Sequence, residues 1–228
     1  MGKHILNTYF DNVYVLYISR EEIEKIKPKI NKRNITVQYF NGYDGQKNKK
    51  KYDIYVEKQK KDGKILNPGS YGHIRSFISI IEDAISKQYD KILILEPDIY
   101  FCNNFAIKAS KYLQMEYKIL YLGASQNKFY KEETWEFIEN NYKNQLEDGY
   151  YYAYKTLGTF AIAFDKSILK ETLELLKKIE YPSDVSLVNL QSLYNEDCIV
   201  AYPNLICCDV SHSKTSAEKN QVGTMKIL

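Results

Sequence analysis

The chain has 228 residues, 44% of them hydrophobic, and a net charge of +3 from 32 basic and 29 acidic side chains. That is ample apolar material for a core, which excludes a disordered chain, and the charge is too balanced to single out nucleic acid as a partner. The four cysteines have no C-x-x-C spacing, which argues against a zinc ribbon or a disulfide framework.

The opening MGKHILNTYFDNVYVL has no basic segment followed by a long apolar one, so no signal peptide is expected. No apolar run approaches the ~18 residues that cross a membrane. The expectation is a soluble, cytoplasmic protein in a reducing compartment. His4 is expected in a frayed terminus. The sequence fixes no oligomeric state.

Val13 to Ile18, VYVLYI, reads as a first buried strand. Ser19 can cap a helix whose first turn carries Glu21 and Glu22, with Pro28 interrupting it before Ile30. Ile35 to Phe40 is the second strand, and Asn41-Gly42-Tyr43-Asp44-Gly45 is turn-rich. Strand, helix and strand within 30 residues make a parallel βαβ unit. Residues 46 to 66 read as a charged excursion, lysine-rich from Lys47 to Lys64, with Tyr52 to Val56 as a short strand. A helix follows from Ser70 to Lys87, its buried face marked by Ile74, Phe77, Ile78, Ile81 and Ile85.

Lys91 to Phe101, KILILEPDIYF, is the central stretch. Four consecutive apolar residues read as a strand buried on both faces. Such a strand delivers Glu96 and Asp98 to the carboxyl edge of a parallel sheet, where open α/β folds bind ligands. A helix over Ala106 to Met115 and a strand over Lys118 to Gly123 come next. Residues 124 to 149 are an insertion, with Trp135 and Phe137 expected to pack on the sheet. Tyr150 to Tyr154 leads into a strand over Phe160 to Phe164 and a helix from Ile168 to Ile179. Tyr181-Pro182-Ser183-Asp184 breaks that helix, Val185 to Leu193 is a short one, and Cys198 to Ala201 and Leu205 to Cys208 are short strands. The tail from about residue 210 is polar. The whole reads as one α/β domain over residues 1–228, with a mostly parallel central sheet flanked by helices. The absence of GxGxxG, GxxxxGK[ST] and GxSxG disfavours a dinucleotide fold, a P-loop and an α/β-hydrolase.

Glu96 and Asp98 are hard oxygen donors suited to magnesium or manganese. His212, in DVSHSKTS, would favour manganese if it joined them. His73, near a helix start, reads as structural or supporting. The candidate general bases are Asp184 at a helix start, where it can also be an N-cap, Asp148 in a turn, and the Glu196-Asp197 pair.

The order of these segments resembles glycosyltransferase family 25, whose members often act in lipopolysaccharide or other surface-glycan synthesis. The matching residues are Tyr43-Asp44-Gly45, then Gly69, Gly72 and Ser76 at a helix start, then Leu95-Glu96-Pro97-Asp98. Gly158 to Phe164, Pro182-Ser183-Asp184 and Pro203-Asn204-Leu205-Ile206 follow in order. The departures are His73 where the family has Cys, Phe77 where it has His, and Pro97 in place of an acid. The resemblance implies a fold of the GT-A type and transfer of a sugar from a nucleotide donor, most often a uridine diphosphate sugar, to a glycan hydroxyl. It also implies a manganese or magnesium ion on Glu96 and Asp98, a nucleoside contact from Asp44, and a phosphate contact from Arg75 or a lysine of the basic stretch. In an inverting displacement the base is Asp184 or Asp197, and Tyr150 to Tyr154 and Trp135 face the acceptor. Two alternatives remain at this level: a non-catalytic carbohydrate-binding or scaffold relative, and a sugar-phosphate nucleotidyltransferase.

Overall fold

The apolar run at Ile92 becomes β3, an interior strand of a seven-stranded sheet. The computed structural model describes residues 2–58, 67–125 and 149–209. The sheet strands are β1 (Asn12–Tyr17), β2 (Gln38–Asn41), β3 (Lys91–Leu95), β5 (Ile119–Ser125), β6 (Gly149–Tyr152), β7 (Leu157–Asp165) and β8 (Cys198–Tyr202). Their order is β2-β1-β3-β7-β5-β8-β6. β1 is parallel to β2 and β3, and β5 is parallel to β8, while β7 and β6 run against their neighbours. Five of the seven strands therefore point one way, the mostly parallel α/β sheet that the sequence leads one to expect. Two short strands, β4 (Ile99–Phe101) and β9 (Ile206–Cys208), pair antiparallel with each other outside it.

Strand side chains alternate between faces, and both faces are covered. Ile92 and Ile94 point to a cluster with Ile74, Phe77, Leu169 and Leu187. These come from α4 (Pro68–Ser86), α6 (Lys166–Lys177) and α7 (Ser183–Tyr194). Leu93 and Leu95 point to a second cluster with Leu6, Ile26, Ile30 and Tyr112, from α1 (Ile5–Tyr9), α2 (Arg20–Asn31) and α5 (Phe105–Leu113). All four β3 residues from Ile92 to Leu95 are fully buried. A strand enclosed on both faces needs a continuous apolar run, which is why the sequence signal was strong here.

Three local expectations change. Tyr52 to Val56 is helical, inside α3 (Lys49–Lys58). Tyr52 and Tyr55 are one helical turn apart, and both rings lean on Tyr71 of α4, at centroid distances of 5.9 and 5.0 Å. Pro28 does not end α2, which continues to Asn31. The proline is exposed in the last turn, and buried Ile26 and Ile30 on either side hold that turn against the sheet. His4 caps α1, its Nδ1 accepting the Leu6 N–H at 3.2 Å. Trp135, Phe137, Asp148 and the stretch 59–66 lie outside the described residues.

Candidate functional site

β3 ends at Leu95, and Pro97 cannot continue the hydrogen-bond ladder because it lacks an N–H. The Glu96 N–H still bonds the Phe160 carbonyl of β7 at 2.9 Å. Beyond Pro97 the chain leaves the main sheet and enters β4. Glu96, Pro97 and Asp98 thus line a pocket of about 870 Å³ at the carboxyl ends of β1, β2 and β3.

The two carboxylates have different surroundings. Glu96 Oε1 accepts from Thr159 Oγ1 at 3.1 Å and faces His73 Nε2 at 3.3 Å. A carboxylate can only accept, so Nε2 carries the hydrogen. Burial pushes the Glu96 carboxyl up, but the charge and hydrogen bond of His73, with Thr159, pull it below its ordinary value. Asp98 Oδ1 is buried with no hydrogen-bond partner. Burial first, then the nearby Glu96 charge, raises Asp98 to about 7.

His73, expected to be structural or supporting, lines the pocket and contacts Glu96 directly. Its Nδ1 meets Ser183 Oγ at 2.5 Å, and its ring packs on Phe77 one turn further along α4 at 4.8 Å. Burial lowers the imidazole, but the bond to Glu96 and the fields of Glu96, Asp184 and Asp98 outweigh it, so the net shift is upward.

The turn Tyr43-Gly45 is clamped against α4. The Tyr43 N–H donates to Ser76 Oγ at 2.7 Å, and that hydroxyl donates to the Gly72 carbonyl at 2.8 Å. A Cβ on Gly72 would lie 2.4 Å from the Tyr43 carbonyl oxygen and 2.6 Å from the Gly45 nitrogen. The two glycine-containing motifs, separated in sequence by the whole lysine-rich stretch, are therefore packed backbone to backbone. Asp44 lines the pocket, but one of its oxygens closes its own turn, accepting the N–H groups of Gln46 and Lys47 at 3.0 and 3.1 Å. Its carboxyl is lowered; burial raises it, but the Lys47 N–H and ammonium group outweigh that.

The other candidates separate. Asp184 lies in the first turn of α7, with Pro182 as N-cap, and its Oδ2 accepts the Gly158 N–H at 3.2 Å. Gly158 has φ +87°, a conformation that favours glycine. Asp197 lies just before β8, at the amino edge of the sheet, paired with Lys118. Arg75 is exposed on α4, its guanidinium 5.8 Å from the Tyr43 ring, and does not line the pocket. Of the aromatic residues expected to face the acceptor, Tyr150 to Tyr152 fall in β6 on the far edge of the sheet. His212 lies outside the described residues.

Asp209 was missed as a site residue. It lines the pocket because β9 runs antiparallel to β4, and the Asp209 N–H bonds the Asp98 carbonyl at 2.9 Å. The pocket walls thus hold Glu21, Glu22, Asp44, Glu96, Asp98 and Asp209 against Lys25, Lys29 and His73. Lys29 donates to the Ile99 carbonyl at 2.8 Å and lies 3.6 Å over the Tyr100 ring. Among the described residues, no group of three or more His, Cys, Asp or Glu is arranged to hold a metal ion. The donor set is two carboxylates, one with an unpartnered buried oxygen. That set fits a hard divalent ion, which takes one or two protein carboxylates and completes its shell with phosphate and water. No helix among the described residues is long and apolar enough to cross a membrane.

The family model described as glycosyltransferase family 25 (LPS biosynthesis protein) matches residues 10–187. One solved structure similar to this chain is a glycosyltransferase involved in the glycosylation of the major capsid of PBCV-1. It is 11% identical, with 83% of this chain and 80% of that chain covered, at a TM-score of 0.43. Another is A197 from STIV, 12% identical, with 91% and 98% covered, at a TM-score of 0.31. No curated protein matches the chain.

Proposed function

The chain belongs to glycosyltransferase family 25, and from that premise we propose that the pocket holds a nucleotide-diphosphate sugar, a uridine diphosphate sugar first, and passes its sugar to a glycan hydroxyl with the help of a divalent ion. The observation that carries the metal-assisted reading is the acidity of the pocket. Six carboxylates line it against two lysines and one histidine. A diphosphate entering such walls meets like charge unless a cation comes with it. Glu96 and Asp98 would hold manganese or magnesium, which when bound neutralises charge on the departing diphosphate.

The chain's own groups do the rest. Asp44, Tyr43 and Gln46 form the wall beside the ends of β1 and β2, where the nucleoside would lie. Asp184, which accepts the Gly158 N–H and is not among the residues that line the donor pocket, would take the proton from an acceptor hydroxyl approaching from the β7–α7 side. That oxygen then bonds to the anomeric carbon as the bond to the diphosphate oxygen breaks, and the nucleoside diphosphate leaves. A single displacement of this kind inverts the anomeric configuration. Asp197 takes no part in this scheme, because it sits at the opposite sheet edge beside Lys118.

The test is release of nucleoside diphosphate from a panel of sugar nucleotides with manganese, magnesium or chelator. Asp98→Ala is expected to lose metal-dependent turnover and the metal-dependent part of the nucleotide-induced thermal shift. Turnover that is unchanged by chelator and by Asp98→Ala sinks the metal assignment. Failure of every sugar nucleotide to react or to shift melting sinks the donor assignment.

A further inference from the structure

Glu96 and Asp184 are joined by two separate routes. On the first, Thr159 Oγ1 donates to Glu96 Oε1 at 3.1 Å, and the preceding residue, Gly158, donates its N–H to Asp184 Oδ2 at 3.2 Å. These are consecutive residues near the start of β7, so the two bonds are one peptide unit apart. On the second, His73 Nε2 meets Glu96 Oε1 at 3.3 Å and Nδ1 meets Ser183 Oγ at 2.5 Å. Ser183 directly precedes Asp184, so a single imidazole bridges the residue after β3 to the first residue of α7.

We propose that His73 is a positioning residue, a strut that fixes the Glu96 and Asp184 carboxylates relative to each other. The inference rests on reading Glu96 as the donor-side acid and Asp184 as the acceptor-side acid. Both ring nitrogens are engaged, and Phe77 lies 4.8 Å from the ring, so the imidazole has no free rotation. Its helix is fixed too, because α4 meets the Tyr43-Gly45 turn at distances that exclude even a methyl group on Gly72. Ser183 is 2% exposed, so its hydroxyl cannot turn to water instead. As the first residue of α7, Ser183 moves with the turn that carries Asp184. A displacement on the order of 1 Å between reacting groups costs roughly 100-fold in rate. The sequence hid this because Ser183 and His73 are 110 residues apart.

Four variants test the strut: His73→Ala, His73→Gln, His73→Asn and Ser183→Ala. The Gln amide ends near the Nε2 position and the Asn amide near the Nδ1 position. His73→Ala is expected to lower kcat by about tenfold or more while donor KM stays within about threefold. Gln and Asn each restore one end and recover part of the loss. Ser183→Ala lowers kcat in the wild-type background and does nothing further beside His73→Ala. Additive effects, or a His73→Ala kcat within about twofold of wild type, overturn the proposal. So does a loss that follows the folded fraction rather than kcat. The Glu96 carboxyl carbon resonance gives a readout without turnover. Ser183→Ala is expected to shift it in the wild type and leave it unmoved in His73→Ala. If the wild type turns over no sugar nucleotide, the functional reading fails, yet this resonance still decides the strut: no shift on Ser183→Ala refutes it.

Discussion

Asp98 and Asp83 are the same side chain moved in opposite directions by their neighbours. Asp98 has an oxygen without a donor among other acids, and its carboxyl is raised. Asp83 accepts the Tyr14 hydroxyl at 2.6 Å and the Lys87 ammonium at 2.9 Å. Burial raises Asp83, but those donors win and its carboxyl falls below the ordinary 3.8. A carboxyl depressed in the folded state adds stability above its unfolded value and loses it as pH falls through the folded one. Asp83→Asn is therefore expected to be less stable than wild type at pH 7, by about 1–3 kcal/mol. The gap should shrink below pH 4, as wild-type Asp83 takes up its proton. Urea melts of both proteins from pH 7 to pH 3 check this, and a gap independent of pH refutes it. At this scale the sequence showed which acids end the strand, because four apolar residues precede them. It did not show which acid would be compensated. The donors to Glu96 come from 23 and 63 residues away, and no local pattern encodes them.

α4 does more for the site than its amphipathic pattern suggests. Its buried stripe was readable from the spacing of Ile74, Phe77, Ile78 and Ile81, all of which are buried. Its first two turns also clamp Tyr43-Gly45 and present His73 to Glu96. Gly72→Ala places a methyl group 2.4 Å from the Tyr43 carbonyl oxygen, where only backbone can yield. Overpacking of this kind costs about 1–3 kcal/mol, and each kcal/mol lowers the melting temperature of a chain this size by roughly 2–4 °C. Calorimetry is expected to show that drop together with weaker nucleotide binding, since the displaced turn is the pocket wall beside Asp44. A melting temperature equal to wild type refutes the clamp. α3 was harder to read, since it buries no residue completely and its charged positions mask the Tyr52–Tyr55 spacing.

At the scale of the whole molecule, the direction of each strand decides which acids can act together. Residues that follow β3 and residues that precede β8 lie at opposite sheet edges, because both strands point the same way. That is why Glu96 and Asp98 reach the pocket and Asp197 does not, a distinction no spacing in the sequence contains. The pocket gathers segments from across the chain, and among the described residues the last to arrive is the one pinned by β4 and β9. A chain ending at Leu205 lacks β9, and one ending at Asp209 keeps it. Hydrogen exchange is expected to find the Tyr100 and Phe101 region protected only in the longer chain; equal exchange in both refutes the role of β9. On the ribosome, Asp98 emerges 111 residues ahead of Asp209. At about 5–20 residues per second that interval is on the order of ten seconds. Throughout it the nascent chain carries Glu96 and Asp98, which follow β3, without the strand β9 that pairs with β4 beside them. Until the segment through Asp209 has been made, the pocket lacks the wall that Asp209 supplies and β4 lacks its antiparallel partner.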